Sequence, residues 1–296
     1  MTAPKLSGCG TALVTPFTET GAVDERALRD LVEWQIAEGI HFLVPCGSTG
    51  EAATMAVEEH RRVVQVVVEQ ARGRLPVVAG AASNDTKKAI LLSKEMEAVG
   101  ATHLLHASPM YNKPPQRGII AHFEAIAAAT ALPIVIYNVP GRTASNIEAK
   151  TTLALARHPS MAAVKEASGN LAQVTDILAG RPASFSVLSG EDELTLAMMA
   201  AGADGIISVV SNATPRLMAQ LAERALAGDI AGARALHFRL LPWMRAAFVE
   251  SNPLAAKAAL AMMGRIRNVL RLPLVPLDPK HEPAVRAALQ HAGAMT

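Results

Sequence analysis

The chain has 296 residues, half of them hydrophobic and only 3% aromatic, with 28 Lys and Arg against 26 Asp and Glu. A net charge of +2 without a basic run or a basic-aromatic patch speaks against nucleic-acid binding. Two cysteines, Cys9 and Cys46, are too few for a disulfide framework and suit a reducing, cytoplasmic setting.

The opening "MTAPKLSGCG" lacks the basic start and apolar run of a signal peptide. The first strand candidate is "GTALVTP". Asp24 then caps a helix over "ERALRDLVEWQIAE" that Gly39 closes. "IHFLVPCG" is the second strand, followed by a helix "VEEHRRVVQVVVEQAR" ending at Gly73. "LPVVAGA" precedes "TKKAILLSKEMEAV", which ends at Gly100. The strands "THLLHASP", "LPIVIYN", "MAAVKEA", "SFSVLSG" and "DGIISVV" follow. Val, Ile and Leu dominate them, as in strands covered on both faces. "EDELTLAMMAA" reads as one helix with acids in its first turn and Gly202 at its end. No apolar run reaches the roughly 20 residues needed to cross a bilayer, so no membrane contact is expected.

Eight β–α alternations predict an α/β fold, a (β/α)8 TIM barrel over 1–224. The rival is a doubly wound open sheet, but a glycine-rich dinucleotide fingerprint is missing. Beyond about residue 224 the strand pattern stops. "GDIAGARALHFRLLPWMRAAFVE", "NPLAAKAALAMMG" and "PAVRAALQHAG" predict a C-terminal helical region over 225–296. Asn252 and Pro253 are expected as cap and first residue of its middle helix.

In such a barrel the chemistry gathers where strands run into their loops. Lys165 ends a strand-like run there. It either reaches water or an acid such as Glu166, or points inward. Pointing inward, the ammonium loses water and sheds its proton more easily, and the free amine can attack a carbonyl. Tyr137, one of only two tyrosines, stands at a neighbouring strand end and is either a core residue or a proton carrier. Arg142, in the turn after it, is either solvated or a clamp for a carboxylate. Ser48 and Thr49, in "PCGSTGEAATM", bring hydroxyls and close backbone to a small anion, unless the segment is a plain turn. Lys257 in "PLAAKAAL" is expected to turn outward into solvent. His103 and His106 fall on opposite faces of one strand. No residue set has metal-ligand spacing, so neither metal nor cofactor is expected. Cys46 lacks a histidine partner and is expected only to pack.

"GSTGE", "YNVPGRT" and "VKEASGNL", in this order and spacing, with the helical tail "SNPLAAKAAL", resemble the dihydrodipicolinate synthase and N-acetylneuraminate lyase family. The resemblance covers nearly the whole chain. It implies a pyruvate-dependent class I aldolase on a (β/α)8 barrel, a homotetramer, in which Lys165 forms the imine. It implies further that Ser48, Tyr111 and Tyr137 relay protons, with Tyr111 lent across a subunit interface. Thr49 would hold the pyruvate carboxylate and Arg142 that of the incoming aldehyde, while Gly190 and Ile207 would line the site with backbone. The expected partners are pyruvate and aspartate 4-semialdehyde, on the diaminopimelate route to lysine. The lyase branch usually lacks the arginine of "PGRT"; the synthase branch usually has threonine where Ser48 stands. This keeps a sugar-acid lyase or another 2-oxo-acid aldolase as the alternative. A keto-acid sensor without catalysis is the reading from another class.

Lysine-inhibited members carry a histidine, an acid and a tyrosine where this chain has Val57, Lys88 and Met110, with His60 and Asn84 kept. An ammonium at Lys88 repels that of lysine. Lysine inhibition is therefore expected to be weak or absent, and half-inhibition by sub-millimolar lysine in a steady-state assay would contradict this.

Overall fold

The computed structural model describes residues 5–295. Strands and helices alternate in the order β1 (Gly8–Ala12), α1 (Glu25–Ala37), β2 (Phe42–Val44), α2 (Val57–Ala71), β3 (Val78–Gly80), α3 (Thr86–Ala98), β4 (His103–Ala107), α4 (Gln116–Ala127) and β5 (Ile134–Asn138). The order continues with α5 (Pro140–Thr143), α6 (Ala149–Leu155), β6 (Met161–Glu166), α7 (Leu171–Gly180), β7 (Ser186–Ser189), α8 (Thr195–Ala200), β8 (Gly205–Ser208) and α9 (Pro215–Leu226). Three more helices follow: α10 (Ile230–Ala246), α11 (Leu254–Met262) and α12 (Glu282–Ala292).

The strands pair in parallel in the order β2-β1-β8-β7-β6-β5-β4-β3. A parallel bridge between Leu43 and Val77 joins the two ends. The expected (β/α)8 barrel is thus the fold. Each strand divides its side chains between two layers because successive residues point to opposite faces. Ala12, Phe42, Val44, Val78, Leu105, Val135, Ala163, Leu188 and Ile207 fill the barrel. Leu43, Ala79, Leu104, Ile136, Val164, Val187 and Ile206 face the helices. With few aromatics, one large ring fills much of the barrel floor. A Cβ on Gly10 would fall 2.0 Å from the Phe42 ring, so glycine is what lets that ring lie across β1.

The caps follow the sequence where a side chain is free to serve. Asp24 accepts from Ala27 N at 3.0 Å, and Asp85 from Lys87 N at 2.9 Å. The helix expected over "EDELTLAMMAA" forms, its first turn Asp192–Leu194 wound as 3-10 and running straight into α8. Asp192 is buried, and its carboxylate accepts from Ser208 Oγ at 2.5 Å and Val209 N at 3.1 Å. α10 lies against α9 and α12, and Trp243 from it donates to Val210 O at 3.1 Å.

Two expectations about the C-terminal helices are corrected. Pro253 occupies the cap position and α11 begins at Leu254, after a cis Asn252–Pro253 bond. The Asn252 amide donates to Thr49 Oγ1 at 2.9 Å rather than capping. Lys257 is not solvated. It is fully buried, with Nζ 2.5 Å from Glu51 Oε1 and donating to Val269 O at 2.9 Å. A single helix turn offered a polar outer face on paper, but α11 is enclosed on every side. Among the described residues no helix is long and apolar enough to cross a membrane.

Candidate active site

Lys165 is the fifth residue of β6, in register with Tyr137 of β5 and Leu188 of β7. Its parity with Ala163 turns it into the barrel, while Glu166 turns out toward the helices. Glu166 is therefore no partner for Lys165. Its carboxylate accepts instead from Asn138 Nδ2 at 3.0 Å and Ser168 N at 2.8 Å.

Lys165 is 5% exposed, and its Nζ sits 4.2 Å from the centroid of the Tyr137 ring. Burial pulls its pKa down to about 8; Asp192 and Glu191 oppose the shift, and Arg142 adds to it. About a tenth of such side chains carry the free amine at pH 7, against less than about a thousandth for an ordinary lysine. Burial pushes the Tyr137 phenol up to about 12, so it keeps its proton at neutral pH and can donate to a carbonyl oxygen. Desolvation, followed by the charge of Asp192, also raises the Glu191 carboxyl.

These groups open onto a cavity of about 290 Å³. Lys165, Tyr137, Ser48, Thr49, Arg142 and Gly190 all line it, so six of the residues singled out from the sequence come together. The turn Ser48–Gly50 follows β2 directly and brings the Ser48 and Thr49 hydroxyls to the mouth. Arg142 lies on the short α5 and donates to Asn252 O at 3.4 Å. Gly190 is needed for its lack of a side chain: a Cβ there would stand 2.7 Å from Ala167 Cβ and 3.1 Å from both Cγ and Cε of Lys165.

Two expected residues lie elsewhere. Tyr111, in the left-handed region at φ 70° and 88% exposed, does not line its own chain's cavity. Ile207 is buried in the barrel interior below, among the residues that fill it. The sequence reading in turn missed Glu191, Phe248 and Asn252 as lining residues. Two acids directly after the β7 end were a usable signal for Glu191; nothing local distinguished the other two. Val57, His60 and Met110 share a wall of the same cavity, while Lys88 is exposed on α3.

A buried amine that is free part of the time, beside a protonated phenol, two hydroxyls and a guanidinium, suits imine chemistry on a small keto acid. The comparisons agree. Residues 5–292 match the dihydrodipicolinate synthetase family. A 4-hydroxy-tetrahydrodipicolinate synthase of Koribacter versatilis is 51% identical over 98% of this chain and 97% of its own. The dihydrodipicolinate synthase structure of Thermotoga maritima superposes with a TM-score of 0.97 at 38% identity, covering 99% of this chain and 100% of its own. That of the Acinetobacter baumannii enzyme, complexed with pyruvate, gives 0.96 at 38% identity over 98% of this chain and 99% of its own.

Two outcomes follow from this geometry. The rate of borohydride trapping of pyruvate on the protein rises with pH as Lys165 deprotonates, is half-maximal near pH 8 and levels off about a unit above it; a rate flat from pH 6 to 9 would contradict the buried amine. Gly190→Ala pushes the Lys165 stem aside and slows trapping about tenfold to a hundredfold with the fold intact, as read by mass spectrometry and circular dichroism.

Proposed function

The chain belongs to the dihydrodipicolinate synthetase family, and within it we propose that this protein condenses pyruvate with aspartate 4-semialdehyde through an imine on Lys165. The product is 4-hydroxy-tetrahydrodipicolinate. The observation that carries this reading is the inward-facing Lys165 amine, held near a pKa of about 8 beside Tyr137.

The free amine of Lys165 attacks the pyruvate ketone carbon. Tyr137 donates its proton as the carbinolamine oxygen leaves as water, and an imine forms. The Tyr137 phenolate takes a proton from the imine's methyl group to give the enamine, and returns it to the aldehyde oxygen as the enamine carbon bonds to the aldehyde carbon of the second substrate. The amine of that substrate then adds to the imine carbon, and Lys165 departs as the free amine. Ser48 carries protons between Tyr137 and the cavity mouth, and Thr49 binds the pyruvate carboxylate. Arg142 grips the carboxylate of the semialdehyde with its guanidinium. Gly190 leaves room for the Lys165 stem.

The same reading makes the protein a homotetramer of the cytoplasm, with Tyr111 completing the relay in a neighbouring subunit. Its exposed position outside its own cavity supports this. Weak lysine inhibition belongs to the same reading, because Lys88 offers a cation where a bound ammonium needs an acid.

Incubation with pyruvate and borohydride, followed by peptide mass analysis, is expected to mark Lys165. Arg142→Ala is expected to keep that adduct while losing about tenfold to a hundredfold in semialdehyde turnover, the scale of a charge-assisted hydrogen bond or two. An unmarked protein favours the keto-acid sensor. An adduct together with turnover of N-acetylneuraminate, and none of the semialdehyde, favours the lyase.

A further inference from the structure

The ion pair between Lys257 and Glu51 lies outside the cavity, and neither residue lines it. Both side chains are fully buried. Burying two charges is costly, and apolar residues of similar volume often stabilise a fold as well or better. A retained buried pair therefore raises the question of what geometry it specifies.

The pair joins two segments that both reach the candidate site. Glu51 ends the turn that carries Ser48 and Thr49, and its N–H donates to Ser48 O at 3.2 Å. Its backbone sits in the left-handed region at φ 56°, so the chain reverses there. The hydroxyls of the turn face the cavity, and the carboxylate goes underneath. Lys257 lies in the first turn of α11, a few residues after Asn252. On the cavity side the same two segments meet a second time, where Asn252 Nδ2 donates to Thr49 Oγ1 at 2.9 Å. Asn252 O in turn accepts from Arg142.

Each half of the pair is anchored. Glu51 Oε2 accepts from Arg271 N at 3.0 Å, and Lys257 Nζ lies 4.1 Å from the Phe17 ring centroid while donating to Val269 O. The Arg271 guanidinium lies 4.2 Å from the same ring centroid and pairs with Glu59. A slip of the 48–51 turn against α11 would break directional contacts at both levels, whereas two apolar side chains would tolerate it.

Resting on the aldolase reading above, we propose that Glu51 and Lys257 are positioning residues for the pyruvate step. Their ion pair sets the register at which Ser48 and Thr49 face Lys165. Neither touches substrate.

The test uses full-length Glu51→Gln, Lys257→Met and the double variant, each close in shape to the residue replaced. The readouts are circular dichroism, and the pyruvate concentration that half-saturates borohydride trapping on Lys165. In every variant that keeps the parent's spectrum that concentration is expected to rise about tenfold, while the trapped mass at saturation stays that of the parent. The rise persists in the double variant, where no buried charge is left unpaired, because the register is then unspecified. A folded double variant with the parent's half-saturating concentration overturns the proposal and leaves the pair a stabilising contact. Loss of fold in all three overturns it as well, by making the pair a requirement of the barrel itself. A parent that forms no adduct sinks the aldolase reading and this proposal with it, whereas half-saturating concentrations identical across parent and folded variants sink the positioning role alone.

Discussion

Water keeps a lysine charged, and the site is organised around denying water to one. Lys165 stands on a strand whose inner face is otherwise apolar. Leu188 and Ile207 lie in the same interior layer, and the Tyr137 ring lies alongside its amine. With no solvent from below, the charged form is disfavoured and the pKa comes down. The neighbouring acids limit how far it falls. Asp192 is fully buried and already holds Ser208 and Val209, so it acts on Lys165 through space and leaves the amine free. Arg142 works in the other direction. The balance leaves an amine that is protonated most of the time and nucleophilic part of the time, which is what imine formation near neutral pH requires.

The same strand supplies both the buried amine and the carboxylate that braces it from behind. Because successive side chains leave a strand on opposite faces, Lys165 enters the barrel and Glu166 leaves it. Glu166 then gathers donors from Asn138, Gln173 and Ser168 behind the wall. These bonds tie the ends of β5 and β6 together on the side away from the cavity, which holds Tyr137 and Lys165 at a constant separation. The remaining wall comes from far along the chain. Phe248 and Asn252 follow the last barrel strand, yet they close one side of the cavity. The C-terminal helices are thus more than an appendage: through Asn252 they touch both Thr49 and the arginine at the mouth.

Much of this was legible from residue patterns because it depends on short-range periodicity. All eight strand segments were readable, since a run of branched aliphatics between helix signals has few other uses. Parity along "MAAVKEA" already places Lys165 and Ala163 on one face, and strand ends already gather Tyr137, Ser48 and Arg142 near it. Periodicity is silent about what happens when two distant segments meet. "EDELTLAMMAA" carries every local mark of a helix and forms one, but nothing in it announces that Asp192 reaches across to Ser208 and Val209. Asn252 carries every mark of a cap, yet its amide serves Thr49.

Two lysines draw the line most sharply. In the sequence Lys165 and Lys257 look alike, each a cation among small apolar neighbours. Composition and alternation determined that the chain forms a parallel barrel and that Lys165 shares a face with Ala163, because strand geometry leaves only two directions to point; the closed barrel decided that this face is the inner one. Whether a helix residue such as Lys257 meets water is decided by what packs around that helix. Here Glu51, Phe17 and Val269 enclose it. Tertiary structure alone therefore made one lysine a buried amine at the edge of a cavity and the other half of a buried ion pair. The cost of an unpaired charge in the interior depends on neighbours that only the closed fold brings into reach.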